Sequence, residues 1–225
     1  MNALSVATNS IPMLKIDWAT PESCKYAVEH WHYSKSLPVG KMIRVGVWEN
    51  EKFIGCVLFS RGANMNIGKP YGLNQTECVE LTRVALTKHI TPVSRILAIA
   101  IKMAHKLTPN LRLIISYADA DRGHTGAIYQ ASNWIYTGLT NQSGKQGYKI
   151  FGAVVHGKTV YSKYGKGRDN IEWLKKNIDP NAEQVPTLGK HKYLFPLDEE
   201  MRKSVIKLSK AFPKKASESG VKSST

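Results

Sequence analysis

The stretch from Glu77 to Tyr117 limits what this chain can fold into more than any other. Glu77–Leu86 (ECVELTRVAL) alternates in part and then runs apolar, as a strand inside a sheet does. Pro92 follows. Val93–Leu107 then sets Ile96, Leu97, Ala100, Met103, Ala104 and Leu107 on one helical stripe, with Thr91 predicted as the N-cap. Leu111–Tyr117 (LRLIISY) reads as a short buried strand. A strand, a helix of this length and a second strand predict a parallel βαβ crossover.

The rest of the chain is arranged around that unit. A helix is predicted over Ser23–Trp31, opened by Pro21 and Glu22. Arg44–Trp48 and Lys52–Phe59 read as a hairpin joined at Glu49–Glu51. His124–Asn133 reads as a short helix leading through Trp134–Leu139 into a strand. Tyr148–Val155 and Lys158–Tyr164 are predicted strands around Gly157, with a helix near Asn170–Lys176. HKYLFPL (His191–Leu197) precedes an amphipathic helix from Asp198, which puts Met201, Val205 and Leu208 on one face and acidic residues in its first turn. The expected fold class is α/β, a mixed sheet flanked by helices. No GxGxxG or P-loop run supports a Rossmann or NTPase reading.

With 225 residues, 42% apolar and 22% charged, the chain suits one sizeable domain with an appendage. Its 32 Lys and Arg against 17 Asp and Glu give a net +15. Residues 141–225 hold +9 of that, against +6 in residues 1–140. Such an excess points to a polyanionic partner, nucleic acid before membrane. Cys24, Cys56 and Cys78 are too widely spaced for a disulfide framework or a four-cysteine zinc site. No signal-peptide pattern and no apolar run of about 20 residues is present, so a soluble intracellular protein is expected.

GAIYQASNWIYTG (Gly126–Gly138) resembles the acyl-CoA-dependent N-acyltransferases of the GNAT superfamily, with Tyr129 in their Tyr place and Asn133–Trp134 in their Gly–Phe place. Five blocks resemble a narrower group. HWHYSKSLP (His30–Pro38), VLFSRGAN (Val57–Asn64), ECVELTRVAL, SYADADRGHTGAIYQASNW (Ser116–Trp134) and KHKYLFPL (Lys190–Leu197) look, in this order, like the Mom family of bacteriophage DNA-modification proteins. The resemblance covers roughly residues 25–200. It implies an enzyme that converts adenine in double-stranded DNA to a carbamoylmethyl-type derivative on the exocyclic amine. That modification would hide phage DNA from host restriction endonucleases, in the host cytoplasm during infection. The division expected is a GNAT-like core over residues 1–155, a basic extension over 156–211 and a disordered basic tail over 212–225.

An exocyclic adenine amine is a poor nucleophile, and in a duplex it must be swung out of the stack at a cost of a few kcal/mol. The site therefore needs a proton acceptor, a donor for developing charge and aromatic surfaces. Asp119 lies past the C-terminal end of a predicted strand, the edge where α/β sheets carry their sites. It could accept a proton, hold the amine or bind a metal, or it could be a capping aspartate; its place in the Mom-like SYAD block favours function. Asp121 suits a turn. Tyr129 matches the general-acid tyrosine of GNAT enzymes, against a half-buried aromatic on an amphipathic helix. Arg83, in an apolar strand, needs a carboxylate or a ligand phosphate. Glu80 falls on the opposite face of an ideal strand and is a poor partner without a bulge. His32 and Tyr33 in the HWHY cluster could act in the site or simply form an aromatic cluster at a helix end. On a helix, His30 and Tyr33 would share a face and His32 would lie on another. No firm metal site is read; iron held by a His and a carboxylate stays open.

GNAT enzymes rest the acyl-CoA pyrophosphate on the start of the long helix. The resemblance therefore implies an acyl-CoA-type donor held by Lys88, Ser94 and Arg95. The loop TKHITPVSRI (Thr87–Ile96) lacks the superfamily's glycines, however, and Pro92 removes an amide, so the cofactor is left unassigned. DNA contacts are expected from Lys158, Lys163, Lys166 and Arg168 in GKTVYSKYGKGR, a backbone-tracking loop or hairpin against a merely solvated one. Tail lysines Lys210, Lys214, Lys215 and Lys222 would add non-specific attraction. Two rivals stand beside this reading: a GNAT-like N-acetyltransferase acting on a small amine or protein, and a non-enzymatic basic DNA-binding protein. The sequence assigns no oligomeric state.

Overall fold

In the computed structural model the described residues are 11–61, 66–140 and 147–214, without the side chains of Lys158 and Ser162. The elements run β1 (Leu14–Trp18), α1 (Pro21–Trp31), β2 (Met42–Glu49), β3 (Lys52–Ser60), β4 (Cys78–Leu86), α2 (Val93–Leu107) and β5 (Leu113–Asp119). They continue with α3 (Ala127–Gln130), β6 (Ile135–Leu139), β7 (Gly147–Ile150), β8 (Ala153–His156), α4 (Gly157–Tyr164) and α5 (Ile171–Asn177). Last come β9 (Glu183–Val185), β10 (Lys190–Pro196) and α6 (Glu199–Ile206). They form two compact units. Of the described residues, the first holds those up to Tyr117, Gly126–Thr137 and Tyr193–Phe212, and the second holds Ala118–Thr125, those between Gly138 and Lys192, and Pro213 and Lys214.

The first unit is built on a seven-stranded mixed sheet in the order β1-β2-β3-β4-β5-β10-β6. The expected crossover is present. β4 and β5 pair in parallel from Cys78↔Leu113 to Leu81↔Ser116, with α2 between them in sequence. α2 buries Ile96, Leu97, Ala100, Ile101 and Ala104, and each large side chain contributes about 1.5–3 kcal/mol. The expected hairpin is β2–β3, turned at Asn50 and Glu51, both at positive φ. Thr20 caps α1 by accepting the Ser23 N–H. Asp198 caps α6 through the Met201 N–H while Arg112 grips both its carboxylate oxygens. One cap differs from expectation. The N-cap of α2 is Pro92, and Thr91 is buried and bonded to Glu49 instead. α3 is also shorter than the predicted helix over His124–Asn133. It starts at Ala127 after Gly126, whose φ is +78° and whose missing Cβ leaves room for the Tyr193 ring.

The second unit holds the small antiparallel sheet β8-β7-β9. Here two expectations are corrected. Tyr148–Val155 is not one strand but two, β7 and β8, folded at Phe151 and Gly152. Lys158–Tyr164 is not a strand but helix α4. Val160 and Tyr164 lie four residues apart, a spacing that places two side chains on one face in either geometry. Packing decides: Val160 is buried with Tyr148, Ile150, Leu174 and Ala182, and Tyr164 packs against the same cluster. The basic segment is consequently a helix followed by the Gly165–Arg168 loop, not a hairpin. Residue 155, the expected core boundary, lies within β8, and residues 215–225 of the expected tail are outside the described residues.

Candidate active site

The parallel ladder between β4 and β5 stops at Leu81↔Ser116, although both strands continue. Ser116, fully buried, sits at this point. Its Oγ is 2.8 Å from the Leu81 carbonyl and 2.7 Å from the Tyr129 hydroxyl. A carbonyl can only accept and a serine has one proton, so Ser116 gives that proton to Leu81. Tyr129 must then donate its own proton to Ser116 Oγ. Burial pushes the Tyr129 phenol up to about 12. Tyr129 is therefore a neutral, oriented donor at physiological pH. Its ring packs against Trp134 at 5.0 Å and Tyr193 at 5.1 Å.

On the other side of the break, β4 carries a bulge. Leu58 faces Arg83 while Phe59 faces Leu81, so Thr82 is the extra residue. The bulge brings Glu80 and Arg83, three apart in sequence, onto a common face. Glu80 is close enough for its charge to act on Arg83, whereas the guanidinium's hydrogen bonds go to backbone carbonyls. Burial lowers the Arg83 guanidinium from its ordinary value, while Tyr33 and Glu80 raise it. It stays a cation at neutral pH. Two of its five donors go to backbone carbonyls, Nε to Ser36 at 3.1 Å and Nη1 to Thr82 at 2.7 Å. The Glu80 charge is also felt at Tyr129, where burial is the larger cause, and burial together with Glu80 raises Tyr117 to about 12. Arg83, Tyr117 and Tyr129 thus all lie within the field of Glu80. Glu80, Ser116 and Tyr117 were missed by sequence reasoning. The signal available for Glu80 was an acid three residues before an arginine, which requires a bulge to be read correctly.

The HWHY cluster is split by the end of α1. His32 is the C-cap in extended conformation, so Tyr33 leaves the helix and His30 stacks on Tyr26 at 4.0 Å instead of sharing a face with Tyr33. His32 and Tyr33 rings lie 4.4 Å apart. The Ser34 N–H donates to His32 Nδ1 at 3.1 Å, which assigns the proton of the neutral ring to Nε2. In this tautomer His32 presents a donor, and its basic nitrogen is engaged. Among the described residues no group of three or more His, Cys, Asp or Glu side chains comes together as metal ligands, so the iron reading finds no ligand set there.

Asp119 belongs to the second unit. It caps the short turn Ala120–Arg122 by accepting the Asp121 N–H on Oδ1 at 3.1 Å, and its carbonyl accepts from His124 N–H. Asp121 in turn accepts the Leu188 N–H at 2.8 Å, as its turn reading expects. At the entry to α2, the buried Glu49 carboxylate accepts from the Ile90 and Thr91 N–H groups and from the Thr91 hydroxyl. The Thr91 hydroxyl bond holds the Glu49 carboxyl below the usual carboxylate range. An anion of the protein's own thus takes the amides before Pro92. Ser94 lies in the first turn half-buried, with Lys88 and Arg95 exposed. In the second unit, Lys163, Lys166 and Arg168 are exposed on α4 and its following loop. The Arg168 guanidinium lies 5.5 Å over the Trp173 ring and donates to the Tyr164 carbonyl. The Lys158 side chain is outside the described residues.

A mixed α/β domain with a buried tyrosine–serine pair at the break in its sheet, and a half-buried arginine on a bulge beside it, is the class defined by these observations. The chain matches the Mom protein family model over residues 13–214 and belongs to that family. It is 25% identical over 187 residues to the methylcarbamoylase Mom of Escherichia phage Mu, covering 81% of this chain and 75% of that protein. A putative acetyltransferase from Acinetobacter baylyi is 12% identical, with a TM-score of 0.47 over 84% of this chain and 94% of that one. An acetyltransferase from Bacillus subtilis in complex with CoA is 9% identical, with a TM-score of 0.41 over 84% and 100%. No helix among the described residues is long and apolar enough to cross a membrane.

Proposed function

We propose that this chain is a transferase that adds a carbamoylmethyl-type group to the exocyclic amine of adenine in double-stranded DNA, protecting phage DNA from host restriction endonucleases. The observation that carries this reading is family membership across residues 13–214, together with the phage Mu relative named a methylcarbamoylase. The net charge of +15 supports a DNA substrate.

The roles follow from the chemistry of the side chains. Arg83 keeps N–H donors beyond the two it gives to carbonyls, and in a half-buried site they stabilise negative charge as it develops. Tyr129 is the acid: it stays protonated up to about pH 12, and when the phenol turns from Ser116 it gives its proton to the group that leaves the donor carbon as the bond to N6 forms. His32, as the Nε2–H tautomer, and Tyr33 donate hydrogen bonds to the extruded base or its phosphate. Asp119 uses Oδ1 for its turn and offers Oδ2 to the amine, accepting the proton that N6 loses as the new bond forms. The resemblance implies an acyl-CoA-type donor, for which the Lys88 and Arg95 side chains and the first turn at Ser94 would be the phosphate contacts; a thioester alone would acylate N6, so the methylene of a carbamoylmethyl group requires a further carbon donor. Given the Glu49 bonds, no step here depends on it.

The test is protection in cells. Plasmid from cells expressing the chain is challenged with restriction endonucleases whose sites contain adenine. Wild type is expected to block cleavage. Asp119→Asn, Arg83→Ala and Tyr129→Phe should each lower modification by about 10²-fold. Full protection by all three folded variants would overturn the assignment of roles.

A further inference from the structure

In the β7–β8 turn a phenylalanine stands where turn chemistry favours asparagine or glycine. Ile150 pairs with Ala153, leaving Phe151 and Gly152 as the two turn residues with φ of +47° and +79°. A two-residue hairpin turn needs both at positive φ, which a bulky side chain resists. Burial does not explain the choice, since Phe151 is 75% exposed. The backbone is nonetheless fixed. Phe151 N–H donates to Oδ2 of the buried Asp179 at 2.6 Å, and the other oxygen of that carboxylate accepts from Asn181 N–H at 2.9 Å. An apolar ring is thereby held out in water at a rigid tip.

Its surroundings are apolar at Ile150, Val155 and Val160, with one cation and one further ring at the rim. Phe151 lines a cavity of about 170 Å³ together with Lys163 and Tyr164, and the Lys163 ammonium lies 5.1 Å over the Tyr164 ring. Residues 147–176 carry seven Lys or Arg against two Asp or Glu. The matching partner is a polyanion with narrow apolar slots, which describes a stacked duplex. An anionic membrane calls for a broad apolar face rather than one ring at the end of a two-residue turn.

We propose that Phe151 is a wedge that enters the base stack of double-stranded DNA, with Lys163, Lys166 and Arg168 holding the phosphates beside it. The inference rests on the DNA reading above and adds a residue that unstacks the duplex, as inserted Phe and Leu side chains do in DNA-bending proteins. Unstacking is what extrusion of an adenine requires.

The test uses the full chain and a labelled duplex several hundred base pairs long, probed with permanganate, which oxidises unstacked thymines. Wild type is expected to bind at low salt and create hyper-reactive thymines. Phe151→Ala, at an exposed position, should keep its fold, its salt dependence and its affinity within about tenfold, yet lose those thymines. Phe151→Trp should retain them. Lys163→Ala with Lys166→Ala should instead lower the salt slope by about one per residue. Bound wild-type protein without hyper-reactive thymines, or Phe151→Ala that keeps them, overturns the wedge while the DNA reading stands. Failure of wild type to bind duplex overturns both. Phe151-dependent binding to anionic phosphatidylserine vesicles, with no unstacking of DNA, also overturns it.

Discussion

Ser116→Ala should destabilise this protein more than Tyr129→Phe, although it removes a smaller group. Ser116 Oγ serves two buried partners, the Leu81 carbonyl and the Tyr129 hydroxyl. Removing it strands both, at about 1–3 kcal/mol each, or roughly 2–6 kcal/mol together. Tyr129→Phe leaves the Ser116–Leu81 bond in place and costs about 0.5–1.5 kcal/mol. The double variant strands Leu81 alone, at about 1–3 kcal/mol, so it should be milder than the sum of the singles by about 1.5–4.5 kcal/mol. Urea unfolding followed by tryptophan fluorescence measures all three, and Trp134 packs on Tyr129 as a local reporter. For a chain of this length each kcal/mol moves the thermal midpoint by about 2–4 °C, which gives an independent reading. If Ser116→Ala proves milder than Tyr129→Phe, or the two effects add within about 0.5 kcal/mol, the assigned direction of the proton chain is refuted.

Glu49→Gln should cost about 1.5–3 kcal/mol at neutral pH, because it weakens charge-assisted bonds from Ile90 and Thr91. The Glu49 carboxyl lies below its ordinary value of 4.5 in the folded state, so its contribution is present above that pH and is lost as pH falls through the lower folded value. Acid titration of stability should therefore be shallower in Glu49→Gln, and an unchanged acid limb would refute the role. Tyr117 and Tyr129 act at the other end. Both phenols rise from 10.0 to about 12 on folding, so their contribution is complete below pH 10 and is lost between pH 10 and 12. Alkaline unfolding monitored by tyrosinate absorbance should be less steep in Tyr129→Phe, and an identical profile would contradict the burial argument.

What was legible in the sequence was local and periodic. The stripe on Val93–Leu107 gave that helix its full length, and the runs around it gave β4, β5 and their parallel crossover. The five Mom-like blocks led to the family. What was not legible depended on partners far along the chain. β10 enters the sheet between β5 and β6, a pairing that no local pattern in HKYLFPL specifies. Val160 and Tyr164 fit a helix or a strand equally by spacing, and the Leu174 cluster settled the matter. Thr91 has the chemistry of an N-cap, but a buried carboxylate 42 residues earlier takes its hydroxyl. In the candidate site, Arg83 and Tyr129 were singled out from the sequence, whereas their links to Glu80 and Ser116 were not. A bulge at Thr82 and a ladder that stops short of its strands' ends are properties of paired strands, and a single strand's sequence does not display them.

The central claim is that this chain changes adenine in DNA. Its most direct test is mass spectrometry of nucleosides from plasmid DNA of cells expressing the full chain, beside an Asp119→Ala control. The account predicts a heavier deoxyadenosine species in the wild type alone, with a mass increase that matches a carbamoylmethyl-type group. Unmodified deoxyadenosine from a folded, well-expressed wild-type protein would contradict it.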